Sequence, residues 1–170
     1  MATGAPVIPL FVLDEETPGQ WAHGGASRWW LHESLAALQH SLQQQDASLV
    51  LRHGNAAGII RTFAAETEAR AVFWNRCYEP YAIQRDKALK SAFKDDGIEV
   101  ESFNAGLLFE PWEVKTKSGT PPKVYSSYWR AMRLLGDPAP EGPAPDQILP
   151  VKVLPPSERL EDWKLQPRNP

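Results

Sequence analysis

The sequence contains a single cysteine, Cys77, in 170 residues. One thiol excludes an internal disulfide framework and an all-cysteine metal site, and it is typical of proteins from a reducing compartment. No apolar run approaches the ~20 residues that a membrane helix needs. The N-terminus turns acidic at Asp14 without a basic lead, so it does not have the pattern of a signal peptide. These absences predict a cytoplasmic protein that does not enter a membrane.

The chain also lacks a strong charge of either sign. Its net charge is -3, so nothing in its overall charge favours nucleic acid as a direct partner. Neither glycine-rich fingerprint, GxGxxG or GxxxxGKS/T, is present, which removes the usual dinucleotide and P-loop interpretations. The histidines are not joined by carboxylates or cysteine at ligand spacing, and no metal site is expected; they are His23, His32, His40 and His53.

What the chain does have is a regular alternation of apolar runs and helical patterns. Three apolar runs each precede a segment with helical spacing, and a fourth run follows, which is the pattern of an α/β domain with a doubly wound parallel sheet. The predicted strands are Val7–Leu13, Ser48–Arg52, Ala71–Trp74 and Ile98–Phe103, and the predicted helices are Arg28–Gln45, a helix capped by Asn55 that reaches Glu66, and Pro80–Asp95.

The third strand and the turn after it form the most informative stretch. Ala71–Trp74 is a short apolar run of the kind that a parallel sheet buries on both faces. The turn that follows is polar, and Pro80 suits the first turn of a helix because its missing N–H costs nothing there. Ligands bind at the carboxyl edge of an open α/β sheet, so this turn is a candidate binding site.

The pattern changes after Phe103. A short helix is expected over Tyr125–Leu135, and the chain from residue 136 to residue 170 is proline-rich and extended, with a helical turn at Ser157–Trp163. We therefore divide the chain into an α/β domain, residues 1–135, and a connection, residues 136–170.

Several segments, in this order, resemble the N-terminal α/β domain of the DNA photolyase and cryptochrome family. They are ASRWWLHESLAAL from Ala26, WNRCYEPYAIQRDKALK from Trp74, SFNAGLLFEPWEV from Ser102, KSGTPPKVYSSYW from Lys117 and SERLEDWKL from Ser157. The resemblance implies a Rossmann-like fold and a part in light-dependent DNA repair, the splitting of cyclobutane pyrimidine dimers with FAD.

The resemblance also implies two missing parts. Family members begin with a central strand of the form WFRxDLRLxDN, whereas this sequence begins at the equivalent of the second strand. The Val7 strand is then expected either to pair with the Ala71 strand or to stand apart from it. The FAD-binding helical domain, which would follow the connection, is also absent. The chain alone is expected to be inactive, with that domain as its partner and damaged DNA reached only through the parent protein.

In this family the α/β domain binds an antenna chromophore, so the resemblance implies a folate, deazaflavin or flavin here, with FAD confined to the missing domain. The candidate contacts lie in the turns at the carboxyl edge: Asp14, Arg28, Asn75, Arg76, Cys77, Tyr78, Glu79, Tyr81 and Ala82. Some folate-binding relatives carry an Asn-Glu pair where this chain has Tyr81-Ala82, so that version of a folate site is not supported.

Each candidate also has a structural interpretation. Glu79 suits the dipole at a helix N-terminus, Arg28 suits an ion pair with Glu33 or Asp14, and Cys77 suits packing. Two other functions remain open. The parent protein is either a photolyase or a cryptochrome-like photoreceptor, and a free-standing nucleotide-binding α/β module is the alternative from another class.

Overall fold

The computed structural model describes residues 4–138, 140, 142–145, 147–151 and 153–167. Within these residues the chain alternates strands and helices and then ends in a largely irregular segment. The strands are β1 (Leu10–Leu13), β2 (Val50–His53), β3 (Ala71–Asn75) and β4 (Glu99–Phe103), and the helices are α1 (Gly25–Gln43), α2 (Ala56–Glu66), α3 (Pro80–Asp95) and α4 (Tyr125–Arg133). Short 3₁₀ helices cover Gly19–Trp21 and Leu160–Trp163.

Local sequence signals account for most of the helix ends. Asn55 caps α2, and its side-chain oxygen accepts a hydrogen bond from the Gly58 N–H at 3.0 Å. Pro80 occupies the first turn of α3, and Gly97 follows that helix with a φ of 73°, a conformation that glycine adopts without strain. Helix α1 differs from the prediction, because it begins at Gly25 after Gly24 rather than after Ser27.

The four strands confirm the α/β class but form two separate sheets. β1 pairs with β2 in parallel, with Leu10 opposite Val50 and Leu13 opposite His53, and β3 pairs with β4. Of the two arrangements expected for the Val7 and Ala71 strands, the one in which they pair with each other is not found among the described residues.

The chain divides into two compact units. The first unit consists of the described residues of 1–72, 78–100 and 145–170, and it contains the main apolar core. Leu51 of β2 is fully buried at the centre of this core, and Leu35 and Leu42 of α1 pack on the same cluster. The core is therefore built from β1, β2 and the face of α1 that covers them.

Residues 157–165, which we call the clasp, complete the first unit. The Leu51 N–H donates to the Ser157 hydroxyl at 2.9 Å, and the Glu158 N–H donates to the Leu51 carbonyl at 2.9 Å. Leu160, Trp163 and Leu165 are buried in the same core. The clasp thus satisfies backbone groups along β2 although it is more than 100 residues away in sequence. The proposed boundary between residues 135 and 136 stays a prediction.

The second unit consists of the described residues of 73–77 and 101–144 and has a different interior. Val114 is buried, but its other buried residues, Ser102 and Glu110, are polar. The part of β3 in this unit is more exposed than its apolar sequence predicts, because Phe73 retains 50% exposure. A strand is buried on both faces only where other elements cover both faces of its sheet, and the side chain of Phe73 is not covered in this way.

The large apolar residues of α1 are only partly buried. Leu35 and Leu42 are buried and Leu31 is half-buried, whereas Trp30 and Leu38 remain 66% and 44% exposed. Leu31, Leu35 and Leu42 face the core, and Trp30 lies one position away from that face. In the part of the chain that the structure describes, no helix is long and apolar enough to cross a membrane.

Candidate functional site

The carboxyl ends of β1 and β2 lie side by side in the first unit, because the two strands are parallel and end at opposite residues, Leu13 and His53. Asp14 and Glu15 follow β1, and Gly54 and Asn55 follow β2. The Gly54 N–H donates to the Leu13 carbonyl at 2.9 Å, which holds the two turns together. We call this group of turns the carboxyl edge.

Asp14 joins the two turns of the carboxyl edge. Its carboxylate accepts hydrogen bonds from the Thr17 N–H at 2.9 Å, the Glu16 N–H at 3.1 Å and the Ala56 N–H of α2 at 2.9 Å, together with the Thr17 hydroxyl. Burial opposes ionisation, but the hydrogen bonds from Thr17, Ala56 and Glu16 outweigh it and hold the pKa of Asp14 below its ordinary value. Because both carboxylate oxygens of Asp14 accept hydrogen bonds, Asp14 holds the two turns of the carboxyl edge in a fixed conformation.

Glu15 contacts the side chains of Arg28 and His53 at the same edge. Its carboxylate forms an ion pair with Arg28, in the first turns of α1, and lies 3.3 Å from Nε2 of His53. Side-chain exposure of 26% for Arg28 and 47% for His53 leaves both groups accessible to a ligand. Arg28 is thus paired with Glu15, and not with the Glu33 or Asp14 partners that the sequence suggested.

A shallow groove of about 370 Å³ lies beside this edge. Its lining comes from the end of β2 and from one face of α2: Arg52, His53, Gly54, Asn55, Gly58, Ile59, Thr62, Phe63 and Glu66. Apolar Ile59 and Phe63 therefore lie among polar groups, a mixture that suits a ring system with polar substituents. The Arg52 guanidinium lies 5.7 Å from the centre of the Phe63 ring and pairs with Glu66 at 3.1 Å.

The predicted contacts at the start of α3 also belong to the first unit. Glu79 is the exposed N-cap residue, without a side-chain capping bond, and Tyr78 and Tyr81 are half-buried. Ala82 is only 1% exposed, so its methyl group contributes to packing. Among the described residues, the groove lining includes none of these four side chains. Their contact with a chromophore stays a prediction.

The remaining predicted contacts, Asn75, Arg76 and Cys77, belong to the second unit. Arg76 is fully engaged there: it pairs with Glu110 through two nitrogens at 2.8 and 2.9 Å and donates to the Ser102 carbonyl at 2.7 Å. Its guanidinium also lies 5.5 Å from the centre of the Trp112 ring. Asn75 is exposed, and Cys77 is an exposed free thiol. The nine predicted residues are therefore divided between the two units.

Sequence reasoning missed Glu15 and His53. Both follow a predicted strand, and the rule that parallel strands end at one edge was a signal that could have found them. It also missed Glu158 and Trp163, whose place beside His53 has no local sequence signal. No group of three or more potential metal ligands occurs among the residues that the structure places.

Three comparisons with known proteins agree on one family. The family model described as DNA photolyase matches residues 1–146. Over 169 residues the chain is 46% identical to a deoxyribodipyrimidine photo-lyase from Agrobacterium fabrum, and over 147 residues it is 34% identical to cryptochrome-2 of Arabidopsis thaliana. It superposes on the crystal structure of a class III photolyase from Agrobacterium tumefaciens with a TM-score of 0.89 and 44% identity.

The matches cover nearly all of this chain but only a part of each relative. The alignment with the Agrobacterium fabrum protein covers 98% of this chain and 34% of that protein. The alignment with the plant cryptochrome covers 85% of this chain and 24% of the cryptochrome. For the crystal structure the corresponding shares are 98% and 34%.

Proposed function

Because this chain belongs to the DNA photolyase family, we propose that it is the α/β domain that binds an antenna chromophore in a light-dependent DNA repair protein. Members of this family bind FAD and an antenna chromophore. The antenna absorbs light and transfers excitation to FAD, which needs a positioned ring and no proton transfer or nucleophile in this domain.

The observation that carries the proposal is the carboxyl edge of β1 and β2 with the adjoining groove. Glu15 holds Arg28 and His53 at the edge, and His53 also lines the groove. Polar side chains that already contact one another are pre-organised, so little conformational entropy is lost when a ligand binds to them. The volume of about 370 Å³ lies near the lower end of the ~300–1,000 Å³ typical of small-molecule sites, and a groove of this size suits a flat ring with part of its surface exposed.

The reaction of the parent protein is the splitting of cyclobutane pyrimidine dimers, carried out with FAD in a helical domain to which this chain docks. The 46% identity to a deoxyribodipyrimidine photo-lyase, against 34% to a plant cryptochrome, favours repair over photoreception. We further propose the antenna to be a folate, a deazaflavin or a flavin, with contacts at Asp14, Arg28 and the residues that begin α3. DNA would then be contacted through the parent protein.

Purification of the chain tests the antenna proposal. A co-purifying chromophore that absorbs in the near-UV to blue, released by denaturation and identified by mass spectrometry, is the expected result. An adenine nucleotide in its place would contradict the antenna proposal and support a nucleotide-binding module. A chain that is colourless as isolated is titrated with FMN, with a deazaflavin and with folic acid, and absence of binding to all three contradicts the proposal.

A further inference from the structure

The carboxylate of Glu158 in the clasp receives two donors from different parts of the first unit. Oε1 accepts the backbone N–H of His53 at 2.9 Å, and Oε2 accepts the indole N–H of Trp163 at 2.8 Å. His53 is the last residue of β2, and Trp163 is buried in the core. Glu158 therefore ties the end of a strand to an anchor of the clasp.

The chemistry of this contact requires two acceptors on one side chain. Both partners are donors without an acceptor to offer, since a backbone N–H and an indole N–H only donate. An ionised carboxylate accepts at both oxygens, whereas a glutamine would turn its NH₂ group towards one of the donors. A carboxylate therefore matches both donors, whereas a glutamine at this exposed position is expected to match only one of them.

The imidazole of His53 lies between the clasp and the carboxyl edge. Its ring centre is 6.4 Å from that of Trp163, and its Nε2 is 3.3 Å from Glu15. Glu158 fixes both the backbone that carries this imidazole and the indole beside it. The same imidazole lines the groove of the candidate site.

We propose that Glu158 is a positioning residue, which locks the clasp onto β2 and thereby holds His53 in place at the candidate chromophore site. Docking of the clasp and binding of the ligand are then energetically coupled. A change that loosens the clasp weakens ligand binding, and a bound ligand stabilises the clasp in its docked position. The coupling to a ligand rests on the proposed function, whereas the positioning of His53 does not.

The test compares E158Q with E161Q in the full chain. Glu161 lies in the 3₁₀ turn that carries Trp163, its side chain is 69% exposed, and it pairs with Arg159 at 3.7 Å, so E161Q is a matched control for loss of one charge. NMR measures the exchange rates of the Trp163 indole N–H and the His53 amide N–H, and the position of the His53 ring signals. We expect exchange at both donors to be at least about tenfold faster in E158Q, with displaced His53 ring signals, and no such change in E161Q.

Two results would overturn the proposal. If the Trp163 indole N–H and the His53 amide N–H exchange as slowly in E158Q as in the wild type, a single acceptor is sufficient and the carboxylate of Glu158 does not hold the clasp on β2. If exchange accelerates while the His53 ring signals stay in place, the clasp does not position His53. Should E158Q unfold, Glu158→Asp keeps both acceptors on a shorter side chain, and it is expected to give smaller changes in the same direction at both probes.

Titration with FMN, a deazaflavin and folic acid separates this inference from the proposed function. Where the wild-type chain binds one of them, E158Q is expected to bind it about tenfold more weakly than E161Q, and equal binding would contradict the coupling. Where the wild type binds none of the three, the proposed function fails, and the exchange and ring-signal measurements still decide the role of Glu158.

Discussion

The two units of this chain are stabilised in different ways. The first unit buries a cluster of leucines around Leu51, together with Trp163, whereas the second unit has Val114 as its buried apolar residue and places Glu110 in its interior, paired with Arg76. Apolar burial is roughly proportional to area and tolerates small shifts, but a buried ion pair depends on geometry because each charge needs its partner. The first unit is therefore suited to carry a preformed ligand site.

The largest effect is expected from a cavity in the first unit. Leu51→Ala removes a fully buried side chain and should lower the free energy of unfolding by about 2 to 5 kcal/mol. Urea denaturation followed by far-UV circular dichroism measures it. Leu38→Ala, at a 44% exposed position of α1, is the matched control and should cost less than about 1 kcal/mol. Equal losses for the two variants would show that the β2 core does not dominate stability.

A smaller effect is expected from breaking the ion pair in the second unit. Arg76→Met leaves the Glu110 carboxylate, which is 7% exposed, without its main partner, and should cost about 1 to 3 kcal/mol. The loss should be local, so hydrogen exchange is expected to accelerate in residues 101–114 and to stay unchanged in β1 and β2.

The double variant Arg76→Met with Glu110→Met separates charge from packing. Since replacing both members of a buried pair by apolar side chains is often close to neutral, the double variant should recover most of the loss. A double variant as unstable as Arg76→Met would contradict the view that the unpaired carboxylate is the cause.

The next effect depends on pH and concerns the carboxyl edge. The pKa of Asp14 is lower in the folded chain than its ordinary value of 3.8, so the unfolded chain takes up this proton first as the pH falls. The contribution of Asp14 to the free energy of unfolding is therefore complete above its ordinary pKa, and it is lost as the pH falls through the lowered pKa of the folded chain. Asp14→Asn should cost about 1 kcal/mol near pH 7 and progressively less below pH 4. A loss in the free energy of unfolding of Asp14→Asn that is the same at pH 7 and pH 3 would contradict this interpretation of Asp14.

The smallest effect concerns the cap of α2 beside the groove. Asn55→Ala removes the acceptor for the Gly58 N–H and should cost about 0.5 to 1 kcal/mol. Asn55→Asp keeps an acceptor at the same place and should retain wild-type stability in the same denaturation experiment. If both variants lose stability equally, the hydrogen bond to Gly58 is not what stabilises the start of α2.

The sequence predicted those elements whose signals are local. The Asn55 cap and the Pro80 start of α3 follow from patterns within a few residues, and α2 and α3 have the predicted bounds, whereas β1 begins at Leu10, three residues after the predicted Val7. The family could be recognised because its segments occur in order along nearly the whole chain. The candidate site was only partly predicted, with Asp14 and Arg28 placed at the carboxyl edge.

The rest depends on contacts between residues that are distant in sequence. Glu158 meets His53 across 105 positions, and Arg76 meets Glu110 across 34, so neither pair leaves a periodic pattern. The exposure of Phe73 likewise depends on which elements cover its face of the sheet and not on the apolar run itself. Local patterns identify elements, whereas the pairing of distant side chains requires the fold.

The most direct test of the account is the affinity of the chain for an antenna chromophore, measured by titration with FMN and folic acid in Glu15→Gln and Cys77→Ser. Glu15 holds Arg28 and His53 in the first unit, and Cys77 is an exposed residue of the second unit. If the site is at the carboxyl edge of β1 and β2, Glu15→Gln should bind about tenfold more weakly and Cys77→Ser should bind like the wild type. Loss of binding in Cys77→Ser with wild-type binding in Glu15→Gln would contradict the central claim.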